Sequence, residues 1–272
     1  MIEKYYDGAI EQVAAGLGTV EKNHLLVRYS GQFSVENLND TKQLEKNEDI
    51  FVQVHEFETG EITCAYEPYL TMICDGFRRY MTGTFEEFME TCDVYYLHRP
   101  VLLGYFNQDN TGREEIILLD EVAYEQERML AALERMLCAI ADRHPVLFVL
   151  NRFQLASKST MQLTARFLKC ENCNIGLVLG VSDVQAMPEF LVPDWEMLYE
   201  TLDDGSKIYH IGNSGRKKEE TIDDEKYVDY GSEKVYRKLQ NMVEFLDFDQ
   251  AAYYLETIER KIKFDNLLVD DA

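Results

Sequence analysis

Residues 146–157 read Val-Leu-Phe-Val-Leu-Asn-Arg-Phe-Gln-Leu-Ala-Ser. An uninterrupted apolar run followed by an abrupt turn to polar residues is what a strand shows when both its faces are covered, as in a parallel sheet. The chain next enters Lys158 to Lys169, whose apolar positions fit a helix, and then Asn174 to Val181 (NIGLVLGV), a second fully apolar run. Parallel neighbours need a crossover connection, so strand, helix, strand predicts an α/β fold built on a parallel sheet.

The same alternation extends upstream. Val122 to Arg143 reads as a long amphipathic helix that delivers the chain through Pro145 into the 146–150 strand. Before it, Pro100 to Phe106 and Glu115 to Leu119 are expected to be extended, joined by an Asn-Gln-Asp-Asn-Thr-Gly turn. Ala65 to Met81 and Thr84 to Cys92 read as helices separated by Gly83, with Pro68 in a first turn, where its missing N–H is tolerated. Asp49 to Phe57 alternates as a strand, Val35 to Lys46 fits a helix, and His24 to Tyr29 is a short strand bounded by Asn23 and Ser30-Gly31. Residues 2–17 place Ile2, Tyr5, Tyr6, Ala9, Ile10 and Val13 on one helical face, ended by Gly16 and Gly18.

Downstream, residues 203–231 are acidic and weakly patterned and suit a linker or surface excursion. Glu233 to Phe245 and Phe248 to Lys263 then read as a helical hairpin, which either caps the sheet domain or begins a helical-repeat arm. The expected organisation is a sheet domain over 1–202, the acidic segment 203–231, and the hairpin over 232–272.

With 46% apolar residues in 272, the chain can bury a substantial core. Its 50 acidic and 27 basic side chains give a formal charge of -23, which repels a phosphate backbone, so direct nucleic-acid binding is not expected. No stretch reaches the roughly 20 apolar residues needed to span a bilayer. Glu3 and Asp7 make the start unlike a signal peptide, so a cytoplasmic location without membrane contact is expected. The six cysteines mostly sit in apolar or helical patterns, as reduced thiols do. Cys170-Glu-Asn-Cys173 has the spacing of half a zinc site, but neither a second Cys pair nor a nearby His pair completes it, and no metal is expected. None of the five histidines lies in a nucleophile frame, and Glu86-Glu87, Glu219-Glu220 and Asp223-Asp224-Glu225 read as solvated acidic faces. Trp195, Tyr253 and Tyr254 suit core packing or an interaction surface equally.

Three features, taken in order, resemble the ATPase domain of the signal-transduction (STAND) branch of AAA-related P-loop NTPases, found in regulators with helical-repeat arms. They are the strand ending at Gly31 and leading into a helix, the run Ala65-Tyr66-Glu67-Pro68-Tyr69-Leu70, and Val146 to Ser157. The last is similar to that family's Walker B strand, with Phe153, Gln154 and Ala156 preserved in frame. The resemblance spans about residues 2–185 and implies a P-loop NTPase-like core followed by an α-helical segment.

Carried over by position, the family's phosphate and metal groups are absent. A working P-loop ends in Gly-Lys-Ser/Thr, whose backbone N–H groups, lysine and hydroxyl hold phosphates and Mg²⁺. Counting from Gly31, with Ser34 inside the loop, this chain has Glu36, Asn37 and Leu38 there. The acids that orient Mg²⁺ and water are replaced by Asn151 and Arg152, the later acid by Ser157, and the arginine after the sensor strand is matched by Ser182-Asp183.

The resemblance therefore implies a pseudo-NTPase with no catalytic residues and no cofactor. It would be a regulatory or scaffold module of a larger signalling protein whose partners are proteins or other domains of the same chain. An output domain, such as a diguanylate cyclase or a DNA-binding domain, would lie outside this segment. Two alternatives stand beside this. One is an active ATP- and Mg-dependent switch in which Arg152, Arg28 or Lys158 replaces the lost charge; the other is a protein-interaction domain only.

Overall fold

The computed structural model describes residues 2–17, 24–29, 49–58, 63–109, 121–170, 173–182, 187–203, 207–211 and 233–270. Among the described residues, five strands form one sheet: β1 (Leu25–Tyr29), β2 (Phe51–Glu56), β3 (Val146–Asn151), β4 (Ile175–Ser182) and β5 (Lys207–Ile211). Their order is β2-β3-β4-β1-β5, and each pairing is parallel. In chain order the helices are α1 (Ile2–Gly16), α2 (Tyr69–Tyr80), α3 (Phe85–Thr91), α4 (Arg99–Asn107), α5 (Val122–Ala141), α6 (Lys158–Lys169), α7 (Val192–Asp203), α8 (Glu233–Glu244) and α9 (Phe248–Asp270). The α/β class with a parallel sheet is as the apolar runs predict.

Side chains alternate between the faces of a strand, so each strand feeds two cores. Val146, Phe148 and Leu150 of β3, with Leu177 and Leu179 of β4, join the larger core under α2, α5, α6 and α7. Leu147 and Val149, with Leu25, Val27, Tyr29 and Val178, meet Ala9, Ile10 and Val13 of α1 on the opposite face. All six positions of β3 and all eight of β4 are buried, which explains their lack of polar alternation. The helix α1 lies close because β4 has no side chain at Gly176. A Cβ there would stand 2.5 Å from Val13 Cγ1 and 3.2 Å from Leu17 Cδ2.

Helix α6 occupies the predicted bounds, with Ser157 as N-cap accepting from the Thr160 N–H at 3.2 Å. Helix α2 starts later than its periodicity suggests. Ala65 to Pro68 form a turn, and Pro68 stands at the N-cap instead of inside the helix, because the residue before a proline avoids the helical region.

The expectation of extended structure at Pro100 to Phe106 is corrected: the segment lies in α4. A short apolar run does not reveal its period, and here tertiary contacts decide. Val101 and Leu102 are buried, Phe106 stacks on Phe85 at 4.1 Å, and His98 at the N-cap, fully buried, places Nε2 3.1 Å from Glu125 Oε2. Lys207–Ile211, within the presumed acidic linker, is instead the fifth strand, paired with β1. Helix α7 fills a stretch to which periodicity assigned no element. Val35 to Lys46 and Glu115 to Leu119 lie outside the described residues.

The C-terminal hairpin docks on the helices that leave the sheet's carboxyl edge. Phe245 meets Tyr66 and Tyr105 edge-on at 6.1 and 5.9 Å. The Ala65 N–H donates to Asn241 Oδ1 at 3.0 Å and the Ser159 N–H to Asp247 Oδ2 at 3.1 Å. Lys158 pairs with Asp249, and the Gln126 amide donates to the Leu246 carbonyl. Among the described residues, no helix is long and apolar enough to cross a membrane.

Candidate functional site

In open α/β sheets ligands bind beyond the carboxyl ends of strands, where the direction of the connections reverses. Here the chain leaves β1 across β4 and β3 to reach β2, and leaves β4 across β1 to reach β5. The reversal falls between β1 and β4. The strands around it end in polar residues: Tyr29 opposite Ser182, and Glu56 opposite Asn151.

These strand ends bond to one another. Tyr29 Oη donates to Asn151 Oδ1 at 2.7 Å, reaching over the intervening β4. By the two-residue period Gly180 faces the same side as Val178 and presents no side chain in the way. Both partners are buried, and burial pushes the Tyr29 phenol up to about 12, against the Arg152 guanidinium and the Asn151 hydrogen bond that pull it down. The phenol stays a neutral donor.

Arg152 Nη2 lies 3.2 Å from Glu56 Oε1, with both side chains about one-fifth exposed. Its backbone is left-handed, at φ 54 and ψ 42, which costs an L-residue roughly 1–2 kcal/mol. That bend starts the turn Phe153–Leu155 and aims Gln154 at the end of β4. Gln154 Nε2 donates to the Ser182 carbonyl at 3.2 Å, and the Ser182 N–H donates to Gln154 Oε1 at 3.4 Å. Phe153 lies against Phe57 and Trp195, at 6.0 and 6.4 Å between ring centroids. On the next strand burial lowers the His55 imidazole, against the pull of Glu67, Glu56 and Glu58.

Of the positions carried over from sequence, Asn151 and Arg152 stand together at the end of β3. Gly31, Ser34, Glu36, Asn37 and Leu38 lie outside the described residues. The cations considered as substitute phosphate clamps are engaged: Arg152 by Glu56, Lys158 by Asp249, and Arg28 over the Tyr199 ring at 5.9 Å. Grooves also lie elsewhere among the described residues. One, of about 470 Å³, lies between α2, α4 and α8 and is lined by Arg78, Tyr105, Arg237 and Phe245; another, of about 260 Å³, is lined by residues of α5, α6 and α7. Neither is lined by Tyr29, Glu56, Asn151 or Arg152.

Sequence reasoning did not find Tyr29 or Glu56. The available signal was the polar residue closing each strand: LLVRY, FVQVHE, VLFVLN and IGLVLGVS. It also left Cys170-x-x-Cys173 without partners. The fold brings Cys138 of α5 to the pair, and the three sulfurs lie within 4.8 Å of one another, all half-buried. Cys173, pushed up by its hydrogen bond to Cys138 and by burial, keeps its proton, and accepting that bond draws Cys138 down.

Chemically, the strand ends around β3 offer an amide, a phenol, and a guanidinium paired with the Glu56 carboxylate. Asn151 and Arg152 carry no carboxylate themselves; the carboxylate that stands beside them is Glu56 of β2. No protein-family model matches this chain, and no curated protein matches it significantly.

Proposed function

We propose that the chain is a catalytically silent, nucleotide-binding-type α/β module that serves a larger signalling protein as a regulatory or scaffold element. The observation that carries this reading is the Arg152–Glu56 pair. At the end of β3, where the resemblance calls for acids that hold Mg²⁺ and orient water, a cation stands and is already neutralised by the neighbouring strand. The Tyr29–Asn151 bond ties the adjacent groups to each other in the same way.

The sheet supports the resemblance in a coarser sense. It is parallel, with β1 inside it beside the reversal point, so the segment after β1 leaves from where an α/β fold takes an anionic ligand. The hairpin supports a regulatory role, because Asn241 of α8 holds the turn before α2 and Asp247, between α8 and α9, holds the start of α6, close to the strand ends.

Thermal-shift and calorimetric titrations with ATP, ADP and GTP, with and without Mg²⁺, test the reading. A ligand at a hundred times its Kd stabilises by about 2.7 kcal/mol, which such measurements detect readily. A flat response is expected, with no phosphate release. Stabilisation accompanied by Mg-dependent turnover would establish the active-switch reading instead.

A further inference from the structure

We infer that Cys138, Cys170 and Cys173 form a binding site for one thiophilic d¹⁰ metal ion, Zn²⁺ foremost, at the amino-terminal edge of the sheet. Cys138 sits in the last turn of α5, Cys170 is the C-cap residue of α6, and Cys173 lies two residues before β4. The elements that set these positions are rigid: α5 and α6 both belong to the main core, and the chain enters the buried strand β4 directly after Cys173.

The spacing suits a metal. A zinc–thiolate bond of about 2.3 Å in tetrahedral geometry separates sulfurs by roughly 3.8 Å. Cys138 Sγ and Cys170 Sγ are 4.0 Å apart, and all three sulfurs fall within 4.8 Å of one another. A contraction of about 1 Å or less completes three of four ligands, leaving the fourth for water. Half-burial gives a hydrated ion a route in while shielding the bonds once formed.

The surroundings favour a cation over a redox-active thiolate. Reactive cysteines are found at helix N-termini and beside basic groups. Here Cys138 and Cys170 lie at the carboxyl ends of α5 and α6, where the helix dipole is negative; the acids Glu134 and Asp142 act on Cys138, and the nearby Arg166 is engaged by Glu134. Three thiolates binding Zn²⁺ release up to three protons to solvent and leave a net charge of about −1. No electrons are transferred.

The test is metal titration of the reduced, chelator-free chain. Co²⁺ is expected to bind one to one, with a thiolate-to-cobalt charge-transfer absorption of three-thiolate intensity, and one equivalent of Zn²⁺ should displace it. Cys138→Ser, Cys170→Ser and Cys173→Ser should each lower Zn²⁺ affinity by tenfold or more, whereas Cys74→Ala, in the core between α2 and α4, should not change it. In the unaltered chain Zn²⁺ should slow alkylation of all three thiols and leave Cys64 unprotected, which gives a readout that does not depend on any variant folding. Absence of the charge-transfer band, wild-type affinity in Cys138→Ser, or a disulfide among the three in a chain that binds no metal after reduction would each overturn the inference.

Discussion

The two ends of the sheet are built on opposite plans. At the carboxyl ends of the strands, polar side chains are spent on one another: Tyr29 on Asn151, Arg152 on Glu56, Gln154 on the backbone of Ser182. At the amino-terminal edge, three polarisable thiols converge with only weak S–H donors and acceptors among them. A protein group saturated by strong internal bonds must break them before it can serve a ligand, whereas clustered thiols gain far more from a metal than from each other. Among the described residues, the polar groups at the end of the sheet where chemistry is usual are paired with one another, and the thiol cluster lies at the end usually given to stability.

The most disruptive way to break this contrast is at the amino-terminal edge. Gly176→Val places a side chain against Val13 and Leu17, and overpacking of this kind costs about 3 kcal/mol. Chemical denaturation should show the loss, and Val13→Ala in the same chain should restore part of it. If Gly176→Val is neutral, α1 is not fixed against β4 as described.

The carboxyl end yields to a double-mutant cycle. Tyr29→Phe and Asn151→Leu should each cost about 1–3 kcal/mol by removing one side of a buried hydrogen bond, and the double variant should cost less than their sum. Strict additivity would mean that the two groups do not sense each other. Tyr29 also carries a pH signature. Its phenol ionises near 10 when unfolded and at about 12 when folded, so its contribution is intact below pH 10 and lost as pH rises towards 12. The alkaline decline in Tm should be shallower in Tyr29→Phe.

Asp247 sharpens the comparison from the hairpin side. Its carboxylate accepts from the Ser159 N–H in α6 and from the Gln250 N–H in α9, and burial raises its pKa. Asp247→Ala should cost about 1–2 kcal/mol by removing a cap shared by two helices. A carboxyl group raised by folding stabilises most when protonated, so its contribution falls as pH climbs from its unfolded pKa through its folded one. Asp247→Asn should therefore gain stability relative to the parent chain between acid and neutral pH. The smallest effect belongs to Arg152: Gly at this left-handed position should be more stable than Ala by about 1 kcal/mol, with Tm as the readout.

What the sequence disclosed follows from how local each signal is. The strands β3 and β4 and the helix α6 between them announce themselves, because complete burial removes every polar interruption. Helix α4 does not, since Pro-Val-Leu-Leu-Gly-Tyr-Phe has no visible period and its conformation is settled by Phe85 and by the buried His98–Glu125 pair. The strand β5, KIYHI, is too short and too embedded in acidic residues to stand out. Asn151 and Arg152 were legible as departures from a motif, but their partners Tyr29 and Glu56 lie more than 90 residues away along the chain and meet them only through the strand order. Cys138 is hidden from Cys170 for the same reason.

The carboxylate of Asp247 ties the C-terminal hairpin to the first turn of α6, the helix that leaves β3. Helix α6 begins six residues after Arg152, and Asp247 meets it at Ser159 while Asp249 meets it at Lys158, so the hairpin is fastened close to the turn that closes β3. The strand ends and the hairpin therefore share one anchoring point, the first turn of α6, and a change that loosens it exposes both at once.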